Sequence, residues 1–180
     1  MTEELINIDL YKEIYNEELK TKNSIDSQMI LPTNLIVLLI GVGLFMFKNQ
    51  YFKSPQNGNL YIIIAIGLLF SLFAGTLSLS IMYLMKAYLN GFYKYHYLPA
   101  SLELKEKENQ LKKDYKILKK KGLKSIKLAL ENHMLIYYID SSSNNRYVND
   151  ERLKAFYLSK LSLSISIILI AIIGFLMIQK

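Results

Sequence analysis

The sequence predicts an all-α membrane protein, with three transmembrane helices and a small helical cytoplasmic domain between the second and the third. Three observations carry that prediction. Residues are 52% hydrophobic and 21% charged, yet the two classes separate along the chain instead of mixing. A soluble domain of this size needs a polar outside everywhere and would spread its apolar residues in short amphipathic runs. The second observation is three apolar windows: Met29 to Phe47, Leu60 to Met85 and Leu161 to Ile178. The third is the position of the basic residues, which crowd into the segment between the last two windows.

Residues 1–27 come first and read as an amphipathic N-terminal helix. Ile8, Tyr11, Tyr15 and Leu19 recur at helical spacing, so a helix is expected over about residues 3–21. Its other face holds Glu4, Glu13, Glu17 and Glu18, which anionic headgroups would repel, so this helix is expected to dock on protein. Asn23, Ser24, Asp26 and Ser27 form a breaker cluster that should separate it from the first span. No secretory signal is expected here, because residues 1–28 are polar and acidic without an apolar core.

A bilayer core of about 30 Å takes about 20 helical residues. The first span, 28–48, is apolar apart from Pro32, Thr33 and Asn34, and an early start with a bend near Pro32 supplies the length it needs. The alternative is a helix running on to Phe52 with Lys48 snorkelling. An external loop, 49–59, leads to the second span, 60–85, which exceeds the minimum length and must tilt or protrude. Residues 86–158 form the basic helical domain, and 159–178 the third span.

Positive charge sets the orientation. The 48–59 loop holds only Lys48 and Lys53, whereas residues 86–160 hold sixteen Lys or Arg against eight Asp or Glu. The N-terminus and the basic domain therefore read as cytoplasmic and the C-terminus as external. Tyr51 and Tyr61 fit the outer interface; Tyr83, Tyr88, Tyr93 and Tyr157 fit the inner one.

Inside the basic domain, Asn90-Gly91 is expected to cap the second helix and Pro99 to break the chain. A charged helix should follow from Ala100 to Lys121, with Leu104, Leu111, Tyr115 and Leu118 on one face and Gly122 as its stop. A second amphipathic stretch covers about Leu123 to Ile139. The polar segment Ser141 to Asn145 then breaks it, and Asn149 caps a helix that continues into the third span.

The catalytic inventory is poor, so no enzyme activity and no cofactor are expected. No cysteine occurs, which removes disulfides, thiolate metal sites and a cysteine nucleophile. His96 and His133 are the only histidines, neither has a carboxylate or second histidine at metal-ligand spacing, and both read as structural. No phosphate-binding glycine loop or nucleophile elbow is present.

Two other features are more informative. Gly67, Ser71 and Gly75 repeat every four residues on the second span, with Ala74 and Ser78 beside them. Small residues at this spacing let helices approach closely in lipid, within one subunit or between subunits. Thr76, Ser80, Ser162, Ser164 and Ser166 add hydroxyls that either bond their own helix carbonyls or line a water-filled path. Asn34, the most polar group in any span, needs a partner or water. The second feature is the basic run Lys112, Lys113, Lys116, Lys119, Lys120, Lys121, Lys124 and Lys127. It fits lipid-headgroup contact, a solvated helix face, or phosphates of a nucleotide or nucleic acid, with Tyr115, Tyr137, Tyr138 and Tyr147 available to stack on bases.

Two patches of the chain resemble a known group. Tyr15-Asn16-Glu17-Glu18-Leu19-Lys20 with Ser24-Ile25-Asp26-Ser27, ahead of a proline-containing span, resembles small SLATT-like membrane effectors of bacterial anti-phage loci. So does Asn144-Asn145-Arg146-Tyr147-Val148-Asn149-Asp150-Glu151-Arg152 leading into a final span. In layout the chain is most similar to the channel effectors of Hailong-type systems, although most SLATT proteins have two spans. The resemblance implies a homo-oligomeric channel in the bacterial inner membrane, a tetramer, whose opening depolarises the cell. It also implies a nucleotidyltransferase encoded nearby and a single-stranded oligodeoxyadenylate ligand on the cytoplasmic domain. Lys112, Lys113, Lys116, Lys119, Lys120, Lys124, Arg146 and Arg152 would then hold the ligand, while Asn34, Gly67, Ser71, Gly75, Thr76 and Ser78 would pack or line the pore. A membrane scaffold for a partner enzyme and a holin-like lytic protein are the rival readings.

Overall fold

In the computed structural model the described residues are 8–52, 60–99, 101–114 and 126–178; they are almost entirely helical, and no strand occurs among them. Among the described residues five helices follow one another: α1 (Ile8–Gln28), α2 (Ile30–Phe52), α3 (Leu60–Tyr93), α4 (Ser101–Lys113) and α5 (Ile126–Ile178). Three stretches are long and apolar enough to cross a membrane: Ile8–Lys48, Tyr61–Tyr93 and Ala129–Ile178. The chain is thus all-helical and suited to a membrane location.

Several expected boundaries move. Asn23 to Ser27 do not break the chain; α1 runs through them to Gln28. Ser27 Oγ donates to the Ser24 carbonyl at 2.9 Å and Gln28 Nε2 to Ser24 Oγ at 3.1 Å, so these polar side chains bond within the helix. Buried Ile25 anchors the same turn. The interruption falls at Met29 instead. Pro32 has no N–H to offer the Gln28 carbonyl, which opens the helix there. Bonds on either side persist, Met29 N to Ile25 O at 3.1 Å and Thr33 N to Met29 O at 3.2 Å. The break near Pro32 and the run to Phe52 therefore both occur.

Gly91 does not end α3. It is buried, and the helix continues to Tyr93 before an extended segment reaches Pro99. The residue before a proline avoids helical backbone, which fits that extension. The helix expected to reach Lys121 is described as α4 to Lys113 with a turn at Asp114; its remainder, with Gly122, lies outside the described residues. Nor does the polar segment Ser141 to Asn145 break α5, and Asn149 lies inside that helix instead of capping one. Ser141, Ser142, Asn145 and Asn149 are buried. Ser142 bonds the Ile139 carbonyl of its own helix, and the tertiary hydrogen bonds of Asn145 and Asn149 outweigh the local preference of such residues for turns.

The chain divides into two compact units: Met1–Asn23 with Gly91–Asp150, here the polar unit, and Ser24–Asn90 with Glu151–Lys180, here the apolar unit. In the apolar unit Ile36 and Leu39 of α2, Ile66, Phe70, Phe73 and Leu77 of α3, and Leu163, Ile170 and Ile173 of α5 form one core. Gly43 admits the Phe73 ring, since a Cβ there would lie 2.7 Å from Phe73 Cε1.

Candidate functional site

In the polar unit the extended segment after α3 is gripped by asparagines of α5. Asn145 holds both backbone groups of His96: its Oδ1 accepts from His96 N and its Nδ2 donates to His96 O, each at 2.9 Å. Asn144 Nδ2 donates to Lys94 O at 2.8 Å. Asn149 Nδ2 donates to Glu18 O at 3.0 Å and Glu18 Oε2 at 2.8 Å. The Tyr95 hydroxyl lies 2.6 Å from Asn149 Oδ1 and 3.0 Å from Glu18 O. Leu98 N donates to the Tyr15 hydroxyl at 3.3 Å. An extended backbone has no partner of its own, so amide side chains supply the bonds that a neighbouring strand would.

This grip places His96 and Tyr97 beside Tyr137, Asp140, Ser143 and Tyr147 around a cleft of about 740 Å³. His133 stacks edge-on against Tyr137 at 4.8 Å between centroids. Burial, and after it the charge of Lys107, holds the His133 imidazole below its usual range; the residue lies well ahead of the charge-free window Leu161 to Ile178. Tyr138 is unavailable for stacking on a ligand, being buried edge-on against Tyr15 at 5.8 Å. Among the described residues no group of His, Asp and Glu is placed to hold a metal ion.

The candidate ligand-binding residues separate. Arg146 is exposed on α5. Lys112 and Lys113 are exposed on α4, and Lys112 pairs with Glu108 at 2.6 Å, holding that carboxyl below the usual range. Lys116, Lys119, Lys120 and Lys124 lie outside the described residues, as does Tyr115. Arg152 does not face a ligand; it is fully buried in the apolar unit. Its Nη2 pairs with Asp26 and its Nε donates to the Ala87 carbonyl at 2.9 Å, while Nη1 has no hydrogen-bond partner among the described residues. An external anion would have to displace Asp26 to reach a guanidinium that is itself fully buried, so Arg152 acts within the fold here.

Of the candidate pore residues, Thr76 lies 2.8 Å from Ser166 Oγ, hydroxyl to hydroxyl. Ser80 and Ser159 each donate to the other's carbonyl at 2.9 Å. Ser164 bonds its own helix at Lys160 O, as Ser166 does at Ser162 O. Gly67, Ser71, Ala74 and Ser78 line a groove of about 520 Å³ with Gly43 and Phe47 of α2. A Cβ on Gly75 would meet nothing within 4 Å. Asn34 is exposed on α2.

No protein-family model, no curated protein and no solved structure matches this chain.

What sequence reasoning missed is the asparagine grip and the His96, Tyr97, Asp140 and Ser143 part of the cleft. A partial signal existed: Pro99 disfavours helix at the residue before it, which marks the non-helical stretch that the asparagines hold.

Proposed function

We propose that this chain is the subunit of a homo-oligomeric membrane channel, an effector of bacterial defence that depolarises the cell when it opens. The observation that carries the reading is where polar and small groups stand on α3. The buried hydroxyls satisfy one another inside one chain, Thr76 with Ser166 and Ser80 with Ser159, so they leave no water path there. Ser71, Ala74, Gly75 and Ser78 instead face outward. A water-filled path then forms between copies, with α3 at the contact or lining it. In this reading the N-terminus and residues 86–158 are cytoplasmic. The basic run from Lys112 to Lys127 with Arg146 takes the phosphates of a nucleotide or oligonucleotide, and the tetramer implied by the resemblance is the assembly.

Gly75→Leu tests it. A side chain there meets open space within one chain, so the fold tolerates it and only a contact between chains is blocked. The expected result is an unchanged helical spectrum and melting midpoint, loss of the oligomer by mass measurement in detergent, and loss of conductance in planar bilayers. An oligomer and conductance that both survive Gly75→Leu would refute the reading, and an intact protein without conductance would favour a scaffold.

A further inference from the structure

We propose that the tyrosine-lined cleft of the polar unit binds an organic cation of the quaternary or protonated ammonium class. The proposal goes beyond the channel reading and does not depend on it. The cleft has the volume of a small-molecule site, about 740 Å³. Its rings come from Tyr97, Tyr137 and Tyr147 beside Tyr95, and among the described residues its one carboxylate is Asp140. Among the described residues no lysine or arginine lines it, in a chain that carries 22 of them and a net charge of +7.

That combination selects by charge. A tyrosine face is the negative part of the ring quadrupole, and a cation within about 6 Å of the centroid is attracted to it. The polar unit already uses the interaction, since Lys22 Nζ stands 5.6 Å from the Tyr95 ring centroid. Tyr97 and Tyr147 are 60% and 64% exposed, so their rings are open to a ligand. Tyr97 follows His96, whose backbone Asn145 grips on both sides, so the backbone that carries the Tyr97 ring is fixed before any ligand arrives. The Tyr95 and Tyr97 rings stand 6.0 Å apart at 44°, so they do not close on each other as a flat stack. An anion would meet Asp140 and, among the described lining side chains, no lysine or arginine. A neutral ligand would leave that carboxylate desolvated and unpaired, which costs free energy.

The test uses the full chain in an alkyl maltoside, because choline-headed detergents would compete. Binding of choline is followed by saturation-transfer NMR at pH 8, where an ordinary imidazole is neutral. Its uncharged isostere, 3,3-dimethylbutan-1-ol, and adenosine monophosphate are titrated alongside. The expected result is saturable choline binding at least about fivefold tighter than that of the isostere. Asp140→Asn and Tyr147→Ala should each weaken it by about fivefold or more, and Tyr97→Phe should preserve it. These side chains are exposed, and an unchanged melting midpoint confirms that the variants fold. Equal binding of choline and the isostere, no saturable choline binding, indifference to both weakening variants, or adenosine monophosphate binding displaced by none of them but lost in Tyr147→Ala, each overturns the proposal.

Discussion

In the apolar unit α2, α3 and α5 meet mainly through Ile, Leu and Phe side chains. The polar contacts described there include hydroxyl pairs, the Arg152 bond to the Ala87 carbonyl and the ion pair of Arg152 with Asp26 on α1. In the polar unit an extended segment and α1 are held to α5 by asparagine amides and tyrosine hydroxyls, bonding mainly to backbone. The difference follows from the solvent each unit suits. Lipid tails are as apolar as leucine, so helices there associate by close packing, small residues and short hydroxyl bonds. Gly43 under Phe73 is an instance. A small unit beside water has little apolar surface to bury, and it specifies its shape with amides that are costly to leave unpaired. The apolar unit should therefore respond to lost volume or charge, and the polar unit to lost amides.

The largest effect is expected where the apolar unit breaks its own pattern. Asp26→Ala strands the buried Arg152 guanidinium, whose Nη1 already has no partner among the described residues. The melting midpoint in detergent should fall by the equivalent of about 3 kcal/mol, the low end for a broken buried pair because the Asp26 side chain is 39% exposed. Restoring stability with the double change Asp26→Ala and Arg152→Leu would locate the cost in the stranded charge; no rescue would place it elsewhere. Next comes Asn145→Ala, expected to cost about 2 kcal/mol by removing both bonds to His96. Amide exchange should then accelerate at His96 and Leu98 before α5 is affected, and uniform exchange would show that the grip is not a separate device.

A smaller loss, about 1 kcal/mol, is expected for Ser80→Ala, since each hydroxyl of the Ser80–Ser159 pair bonds a helix carbonyl that is already engaged. Combining it with Ser159→Ala should cost less than the sum of the two single changes; additivity would mean that the hydroxyls act independently. The smallest effect concerns pH. His133 is held below its ordinary 6.5, so the unfolded chain takes up a proton that the folded chain resists. Stability contributed by the neutral imidazole is complete above that value and is lost as pH falls from it through the lower folded value. Melting midpoints measured between pH 7.5 and 5.5 should drop less in His133→Gln than in the parent, and parallel curves would count against a role for this group.

Helical class and the three apolar stretches were legible because they depend on local quantities: the length of a charge-free run and the spacing of apolar residues. The hydroxyl pairs were legible as residues but not as pairs. Thr76 and Ser166 stand ninety positions apart, and nothing local selects one serine of α5 over the next. Breaks were the least legible part. Asn23 to Ser27 and Ser141 to Asn145 have turn composition, yet both stretches are helical because Ile25, Asn145 and Asn149 find tertiary partners. Arg152 shows the same limit for a site residue. In sequence it looks like one more cation in a basic segment, whereas burial and Asp26 make it structural.

From the sequence alone came the all-helical class, the three stretches able to cross a membrane, the segregation of charge, and the absence of cysteine chemistry. Those properties are sums over neighbouring residues, and a bilayer or a helix reads such sums directly. Tertiary structure alone decided which polar residues are buried, which backbone the asparagines of α5 hold, and where tyrosines and Asp140 meet around a cleft. Polar side chains have short reach and no periodic signature, so their roles depend on which distant backbone group or carboxylate the fold brings within 3 Å.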